Sequence, residues 1–213
     1  IAFLTAGGLA PCLSSSIAYL IKEYSEIDQE VEFFAYKNGY KGLLLGDIIS
    51  IPNSISDKID ILASYGGSPI GNSRVKLTNT NDCVKNGYIS EGQTPLVVAS
   101  EQLQKDKIDI LHTIGGDDTN TTAKDLFEYI KSRGLKIAVV GIPKTIDNDI
   151  VPVKRSLGAY TAAHATADYF ENIVSENNMS NNHLIVHEVM GRSCGWLTAF
   201  AANLYMDRLK NKE

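Results

Sequence analysis

Two adjacent carboxylates stand in the segment GGDDTNTTA (115–123), directly after an apolar run. Asp117 and Asp118 would repel each other at a turn unless a cation lay beside them. Mg²⁺ binds one or two carboxylates together with phosphate oxygens and water. Aspartate and threonine are also common at helix starts, so one carboxylate alone would need no ligand. The pair predicts a metal–phosphate site.

A second segment, GIPKTIDNDI (141–150), holds a cation and two carboxylates within six residues. Lys144 precedes Asp147 and Asp149, and Pro143 disfavours a regular helix. A solvated polar loop is the alternative interpretation. The isoleucines spaced through the segment indicate a loop that packs down on the protein, which favours a ligand for these charges.

Glycine-rich turns form the third kind of candidate site. In TAGGLAPCLSSS (5–16), Gly7 and Gly8 would let main-chain N–H groups approach an anion at a helix start. The segment is not GxGxxG and lacks the Walker lysine, so a tight turn without a ligand is equally compatible. In GGSPIGNSRVK (66–76), Arg74 could reach a phosphate, although alone it would be an ordinary surface residue.

The last candidate is HEVMGRSCGWL (187–197), which follows another apolar run. Arg192 comes directly after Gly191, and a guanidinium fork suits a sugar phosphate. Met190 alone would be core filling, and Arg192 alone a surface cation. The histidines of the chain show no metal-binding spacing.

Short apolar runs precede four of these segments and alternate with helical patterns. The predicted strands are 1–6, 31–36, 108–114, 137–142 and 184–189. The predicted helices start near Ile17 and continue at about 55–65, 94–106, 120–133, 157–177 and 194–209, with loops at 37–54 and 66–93. This order predicts an α/β fold with a mainly parallel sheet and helices on both faces. In such sheets ligands bind beyond the carboxyl ends of the strands.

Composition narrows the class of protein. The 213 residues include 44% hydrophobic and 21% charged residues, which excludes a disordered chain. A net charge of −5 argues against nucleic acid or a membrane surface as partner, and no apolar stretch approaches the ~18 residues of a membrane helix. Three cysteines without a CxxC pair predict reduced thiols and a cytoplasmic protein. Neither end resembles the terminus of a complete enzyme, so we expect a fragment.

Taken in order, GGLAP, GGSPIGNSR, GGDDTN, PKTIDND and VMGRSCGW resemble the phosphofructokinase family up to about residue 206. The resemblance implies the amino-terminal domain of a fold with two stacked α/β domains. A domain that binds the donor and Mg²⁺ would span 1–150. Residues 151–213 would begin the part that binds the sugar phosphate, which is truncated here.

The resemblance also implies roles for individual residues in phosphoryl transfer to the 1-hydroxyl of fructose 6-phosphate. Asp147 would accept the hydroxyl proton, helped by charge stabilisation from Lys144 and Arg74. Asp117 would hold Mg²⁺, with Asp149 nearby. The donor would be bound by Gly7, Gly8, Arg74, Asp118 and Lys144. The sugar phosphate would be bound by Thr145, Asp147, Asp149, Met190, Gly191 and Arg192.

Two positions bear on the phosphoryl donor. ATP-using members of the family usually carry glycine where this chain has Asp118 and Lys144, which resembles the pyrophosphate-dependent branch. A carboxylate at 118 would occupy and charge the space of an α-phosphate, since like charges ~4 Å apart at an effective dielectric of ~20 repel by about 4 kcal/mol. Pyrophosphate has no third phosphate, and Lys144 would help to bind it. The implied reaction is readily reversible.

Three alternatives remain open: an ATP-dependent phosphofructokinase, a related kinase with a GGDG-like motif, and a catalytically silent regulatory subunit that binds sugar phosphate. A silent subunit should have lost the base or the metal carboxylate, whereas Asp117, Asp147 and Asp149 are present. We expect a homo-oligomer, either a dimer or a tetramer. Allosteric effectors and sedoheptulose 7-phosphate as an additional acceptor stay open.

Overall fold

The computed structural model describes residues 1–8, 10–179, 183–191 and 194–211, together with all their side chains except that of Asn53. Two compact units make up the chain, Ile1–Lys144 and the residues from Thr145 onward. The boundary therefore falls six residues before the end of the domain predicted at 1–150. The assignment of one ligand to each part stays a prediction.

A mainly parallel sheet forms the first unit and confirms the predicted fold class. Its strands stand in the order β3-β2-β1-β4-β5. Strand β1 runs parallel to β2 and β4, and β5 runs parallel to β4, whereas β3 is antiparallel to β2. The strands are β1 (Ala2–Ala6), β2 (Phe33–Tyr36), β3 (Ile48–Ile51), β4 (Ile110–Gly115) and β5 (Ala138–Thr145).

Helices cover both faces of this sheet, as predicted. The helices are α1 (Cys12–Ile27), α2 (Tyr40–Leu45), α3 (Ile59–Ser64), α4 (Thr80–Lys85), α5 (Pro95–Lys105) and α6 (Asp117–Ser132), with a 3₁₀ helix at Asn53–Lys58. Successive side chains of a strand point to opposite faces. Leu4 of β1 accordingly joins a buried cluster with residues of α2, α5 and α6, and Phe3 joins a second cluster with residues of α1 and α3.

The second unit is mainly helical in its described part. It contains the two-residue strand β6 (Leu157–Gly158) and the helices α7 (Ala159–Asn177) and α8 (Gly195–Lys210), which pack against each other. The rings of Tyr160, Trp196 and Phe200 form a cluster with centroids 5.0–5.6 Å apart.

The prediction of a strand at 184–189 was wrong. The segment has no regular secondary structure, and no strand of the described residues pairs with it. Leu184 and Val186 are 90% and 84% exposed. A short apolar run alone does not make a strand, because the backbone groups of a strand need a neighbouring strand to bond with. None of the helices in the described ranges has the length and apolarity needed to cross a membrane.

Short elements also interrupt the two predicted loops. Helix α2 and strand β3 lie within 37–54, and helix α4 lies within 66–93. Their lengths of four to six residues explain why periodicity over a longer window did not detect them.

Candidate active site

Strand register brings the predicted motifs of the first unit to one edge of the sheet. Ala6 of β1 is level with Gly115 of β4, which in turn is level with Pro143 of β5. The glycine turn after β1, the start of α6 and Lys144 therefore leave the sheet side by side. This is the carboxyl edge at which a ligand was predicted.

The glycine turn after β1 is held by the loop that carries Arg74. The Gly7 N–H donates to the carbonyl of Ser73 at 2.9 Å, and the Asn72 side-chain amide donates to the Gly7 carbonyl at 2.5 Å. Gly7 has φ +86°, a conformation that favours glycine. The amide of Gly7 is thus already bonded within the protein, and the assignment of Gly7 to donor binding stays a prediction. The amide of Gly8 has no such bond among the described residues.

Lys144 is buried at this turn, with 6% of its surface exposed. Its Nζ donates to the Gly8 carbonyl at 2.5 Å. Burial lowers the pKa of this ammonium group from its usual value, and the charge of Arg74 lowers it further, whereas Cys12 acts in the opposite direction. The sequence placed Lys144 and Gly8 in one donor site, and the structure brings them into contact.

Both acidic residues of GGDDTNTTA lie in the first turn of α6, where the helix dipole favours negative charge. Asp118 Oδ2 is 2.8 Å from Nζ of Lys76, and both side chains are substantially exposed. The cation beside the adjacent carboxylates is thus a lysine of the protein. Lys76 was missed by sequence reasoning, although it stands two residues after Arg74 in a segment that was already singled out.

Asp117 is exposed, and no ion pair of the described residues includes it. In the described part of the chain, no group of three or more histidine, cysteine or acidic side chains could hold a metal. A Mg²⁺ that takes one carboxylate and binds mainly to phosphate and water does not need such a group. The exposed carboxylate of Asp117 therefore fits a Mg²⁺ ion whose other ligands are phosphate oxygens and water.

The turn before α6 depends on close backbone approach. A Cβ on Gly115 would come within 2.4 Å of both the Ala6 carbonyl and Oγ1 of Thr119. The Asn120 side-chain amide donates to the carbonyls of Gly115 and Gly116 at 2.8 Å each. These contacts hold the start of α6 against the end of β1. Asn120 carried no signal in the sequence beyond its place in a polar helix start.

In the second unit, one carboxylate oxygen of Asp147 has no partner among the described residues. Its Oδ1 is buried and makes no hydrogen bond to the described residues. Its backbone N–H donates to Oγ1 of Thr145 at 3.1 Å, and its carbonyl accepts from Cys194 Sγ at 3.2 Å. A Cβ on Gly191 would lie 3.3 Å from Oδ1, so the glycine keeps space beside this oxygen. The structure thus brings Thr145, Asp147 and Gly191 together.

Hydrogen bonds of Asn148 and Ser156, here called the polar clasp, close the loop after Asp147. Asn148 has φ +51°, and its Oδ1 accepts from the Ser156 backbone N–H at 2.9 Å. The Ser156 hydroxyl, which is nearly buried, donates to the Thr145 carbonyl at 2.6 Å. Sequence reasoning missed this clasp, because Ser156 lies beyond the predicted motif.

Other predicted residues are not drawn into these networks. Arg74 and Asp149 are exposed and take part in no ion pair among the described residues. Met190 is 79% exposed. Arg192 lies outside the described residues. Their assignment as ligands stays a prediction.

Comparison with known proteins is consistent with this arrangement. Residues 1–204 match the family model described as Phosphofructokinase, and the chain belongs to the phosphofructokinase family. It is 56% identical over 213 residues to a pyrophosphate–fructose 6-phosphate 1-phosphotransferase of Methylotuvimicrobium alcaliphilum, covering all of this chain and 52% of the relative. It is 54% identical to the similarly named protein of Mastigamoeba balamuthi, with the same coverage.

Among solved structures, a pyrophosphate-dependent phosphofructokinase of Nitrosospira multiformis gives a TM-score of 0.75 at 23% identity. The superposition covers 96% of this chain and 49% of that one. This likeness shows the fold. The chain spans about half the length of the curated relatives it matches.

Proposed function

We propose that the full-length protein transfers a phosphoryl group from pyrophosphate to the 1-hydroxyl of fructose 6-phosphate, in a readily reversible reaction. The observation that carries this proposal is the buried Lys144 ammonium against the glycine turn after β1. Burying a cation is costly unless it meets an opposite charge or strong acceptors. Among the described residues a single carbonyl accepts from Lys144, which is weak compensation, and an anionic donor at this edge would supply the rest.

The choice of pyrophosphate rests on Asp118 and Lys144 together. Asp118 adds a side chain at the start of α6, where a glycine would leave room for a longer donor. Lys144 adds a cation that contributes to binding of a donor without a nucleoside. The relatives from Methylotuvimicrobium alcaliphilum and Mastigamoeba balamuthi, both named for pyrophosphate, are 56% and 54% identical to this chain along its whole length, which supports the same donor.

Mg²⁺ bound with the donor would supply positive charge beside the transferred phosphoryl group. Asp117 would hold the metal through its exposed carboxylate, with Asp149 as a further acidic group. The Gly8 amide, Lys144 and Arg74 would stabilise the remaining charge on the transferred group.

Asp147 would act as the general base. A base must have a free oxygen within reach of the substrate hydroxyl, and the unpartnered Oδ1 of Asp147 meets the first requirement. The bonds from its backbone to Thr145 and Cys194 orient the residue without using Oδ1. Thr145, Asp149, Met190, Gly191 and Arg192 are proposed as ligands of the sugar phosphate. A cytoplasmic location and a homo-oligomeric state are further parts of this proposal.

The test is formation of fructose 1,6-bisphosphate by the full-length protein with pyrophosphate and with ATP in parallel. Turnover with pyrophosphate supports the proposal. Turnover with ATP alone would identify an ATP-dependent enzyme, and binding of fructose 6-phosphate without turnover would identify a silent subunit. The double variant Asp118→Gly, Lys144→Gly should gain use of ATP. If it gains none, the donor preference resides elsewhere.

A further inference from the structure

The ion pair between Lys76 and Asp118 has no assigned role in the reaction described above. Lys76 Nζ and Asp118 Oδ2 are 2.8 Å apart, and the two side chains are 45% and 71% exposed. An ion pair this exposed contributes little to stability, because solvent screens it. The position of the pair matters more than its strength, because one partner is Asp118. In the proposed function, Asp118 is the residue that favours pyrophosphate over the longer ATP.

Asp118 without a counter-ion would disfavour every anionic donor. A free carboxylate beside the site repels pyrophosphate as well as a nucleotide, since the charge repulsion does not depend on the rest of the donor. A pair of opposite charges has little net charge and still occupies its volume. Lys76 thus allows an acidic side chain to block a longer donor without repelling a short one.

We propose that Lys76 is a specificity-determining residue that acts through Asp118 and permits pyrophosphate to bind beside that carboxylate. This inference rests on the proposed function of the donor site. It changes one expectation from the sequence, because the net charge of Asp118 alone no longer explains the exclusion of a nucleotide. Instead, a nucleotide is excluded by the volume of the two paired side chains and by the orientation of the Asp118 carboxylate toward Lys76.

The local structure holds the backbone of Lys76 in place. Its carbonyl accepts from the Asn79 backbone N–H at 3.3 Å and from Sγ of Cys83 at 3.6 Å. The next residue, Leu77, is 1% exposed and belongs to the core of the first unit. On the other side of the pair, the Asp118 carbonyl accepts from Oγ1 of Thr122 within α6. Hydrogen bonds thus fix the backbone from which both side chains extend.

The experiment uses the full-length protein and the variants Lys76→Met, Lys76→Arg, Asp118→Asn and Lys76→Met with Asp118→Asn. Lys76→Met should raise the KM for pyrophosphate about tenfold and leave kcat within about twofold, because the chemistry itself is untouched. Lys76→Arg should restore the KM. In the Asp118→Asn background, Lys76→Met should change the KM less than about twofold, because the charge to be neutralised is gone.

A matched control is available in the same unit. Lys37 and Asp47 form an ion pair of the same length, 2.8 Å, with side chains 44% and 41% exposed. Lys37→Met removes the same charge and should leave the KM for pyrophosphate within about twofold. An equal rise in KM for Lys37→Met and Lys76→Met would show a general charge effect and overturn the inference.

Two further outcomes contradict the role of Lys76. An unchanged KM in Lys76→Met would show that the pair does nothing for the donor. A tenfold rise that persists in the Asp118→Asn background would show that Lys76 does not act through Asp118. Calorimetric binding of pyrophosphate to the same variants separates this inference from the proposed function. If the wild-type protein binds pyrophosphate without turnover, the proposed function is refuted. The affinities of the variants for pyrophosphate would still show whether Lys76 assists its binding.

Discussion

The two compact units bury very different side chains. The first unit encloses large apolar residues on both sides of its sheet, among them Phe3, Leu4 and Leu111, all fully buried. In the described part of the second unit, the buried apolar residues are alanines together with Leu197. Large apolar side chains such as Leu184 and Val186 stay exposed there.

The same contrast separates the candidate site residues. In the first unit Gly7, Lys144 and Asp118 each contact a named partner from another segment. In the second unit Asp147 has a defined environment, but Met190 is exposed. The proposed donor ligands can therefore be argued from contacts. The proposed sugar ligands rest mainly on the resemblance to the family.

The largest expected effect tests the difference in core packing directly. Leu4→Ala should lower the free energy of unfolding of the first unit by about 3 kcal/mol, because it leaves a cavity in a closely packed cluster. Val186→Ala should change stability by less than about 0.5 kcal/mol, since that side chain is 84% exposed. Urea unfolding monitored by far-UV circular dichroism measures both. Equal costs would remove the contrast between the units.

A catalytic role for Asp147 would place essential chemistry in the unit whose described part buries mainly alanines. Asp147→Asn in the full-length protein should lower kcat at least ~10²-fold with an unchanged Tm, because the amide cannot accept the proton. Asp149→Asn, at an exposed position, should lower kcat less than Asp147→Asn does. Steady-state kinetics with fructose 6-phosphate decides the question, and a near-normal kcat for Asp147→Asn would rule it out as the base.

The packed core of the first unit also predicts a dependence on pH. His112 of β4 is 4% exposed, with Nε2 2.9 Å from the Tyr24 hydroxyl. Its Nδ1 is buried and has no hydrogen-bond partner among the described residues. Burial lowers the pKa of His112 to about 4 from 6.5. The folded state therefore keeps a neutral ring, while the unfolded chain takes up a proton below about pH 6.5.

Stability linked to His112 is thus fully present above the unfolded pKa and is lost as the pH falls toward the folded value. The loss should be about 2 kcal/mol between pH 7 and pH 5. Urea unfolding at a series of pH values measures this slope. His112→Gln should flatten it, whereas His164→Gln, at an exposed position of α7, should not. A slope that survives His112→Gln would assign it to other groups.

The smallest effect concerns the last residue of the first unit. Lys144→Met should lower kcat/KM for pyrophosphate about tenfold, while Tm stays unchanged or rises, because an apolar side chain is buried at lower cost than an ammonium group. Lys124→Met, whose side chain is 71% exposed on α6, should change neither quantity. A fall in Tm for Lys144→Met would show that this lysine holds the structure together rather than the donor.

Hydrophobic periodicity was sufficient to predict the parallel strands of the first unit and the helices on both faces. It failed at 184–189, because a strand is defined by its hydrogen-bonding partners, which the pattern of one segment does not reveal. It also missed β3 and α2, whose few residues give no measurable period.

One short segment was enough to single out Lys144 after β5 as a candidate, and its role stays a prediction. Sequence reasoning missed contacts that depend on pairing between distant segments. Lys76 and Asp118 are 42 positions apart, and nothing in either segment indicates their contact. Nothing in the sequence indicates the bond from the Gly7 amide to the Ser73 carbonyl either, because Ser73 lies in another loop.

The alignment of Ala6, Gly115 and Pro143 has a consequence for how this domain can change in length. Adding or deleting one residue within β1, β4 or β5 would move one of the three following turns by about 3.3 Å and reverse which side chains point to each face. Insertions that leave the candidate site intact must therefore fall outside these three strands, for example in loops away from their carboxyl ends. Engineering of donor preference is accordingly best confined to substitutions.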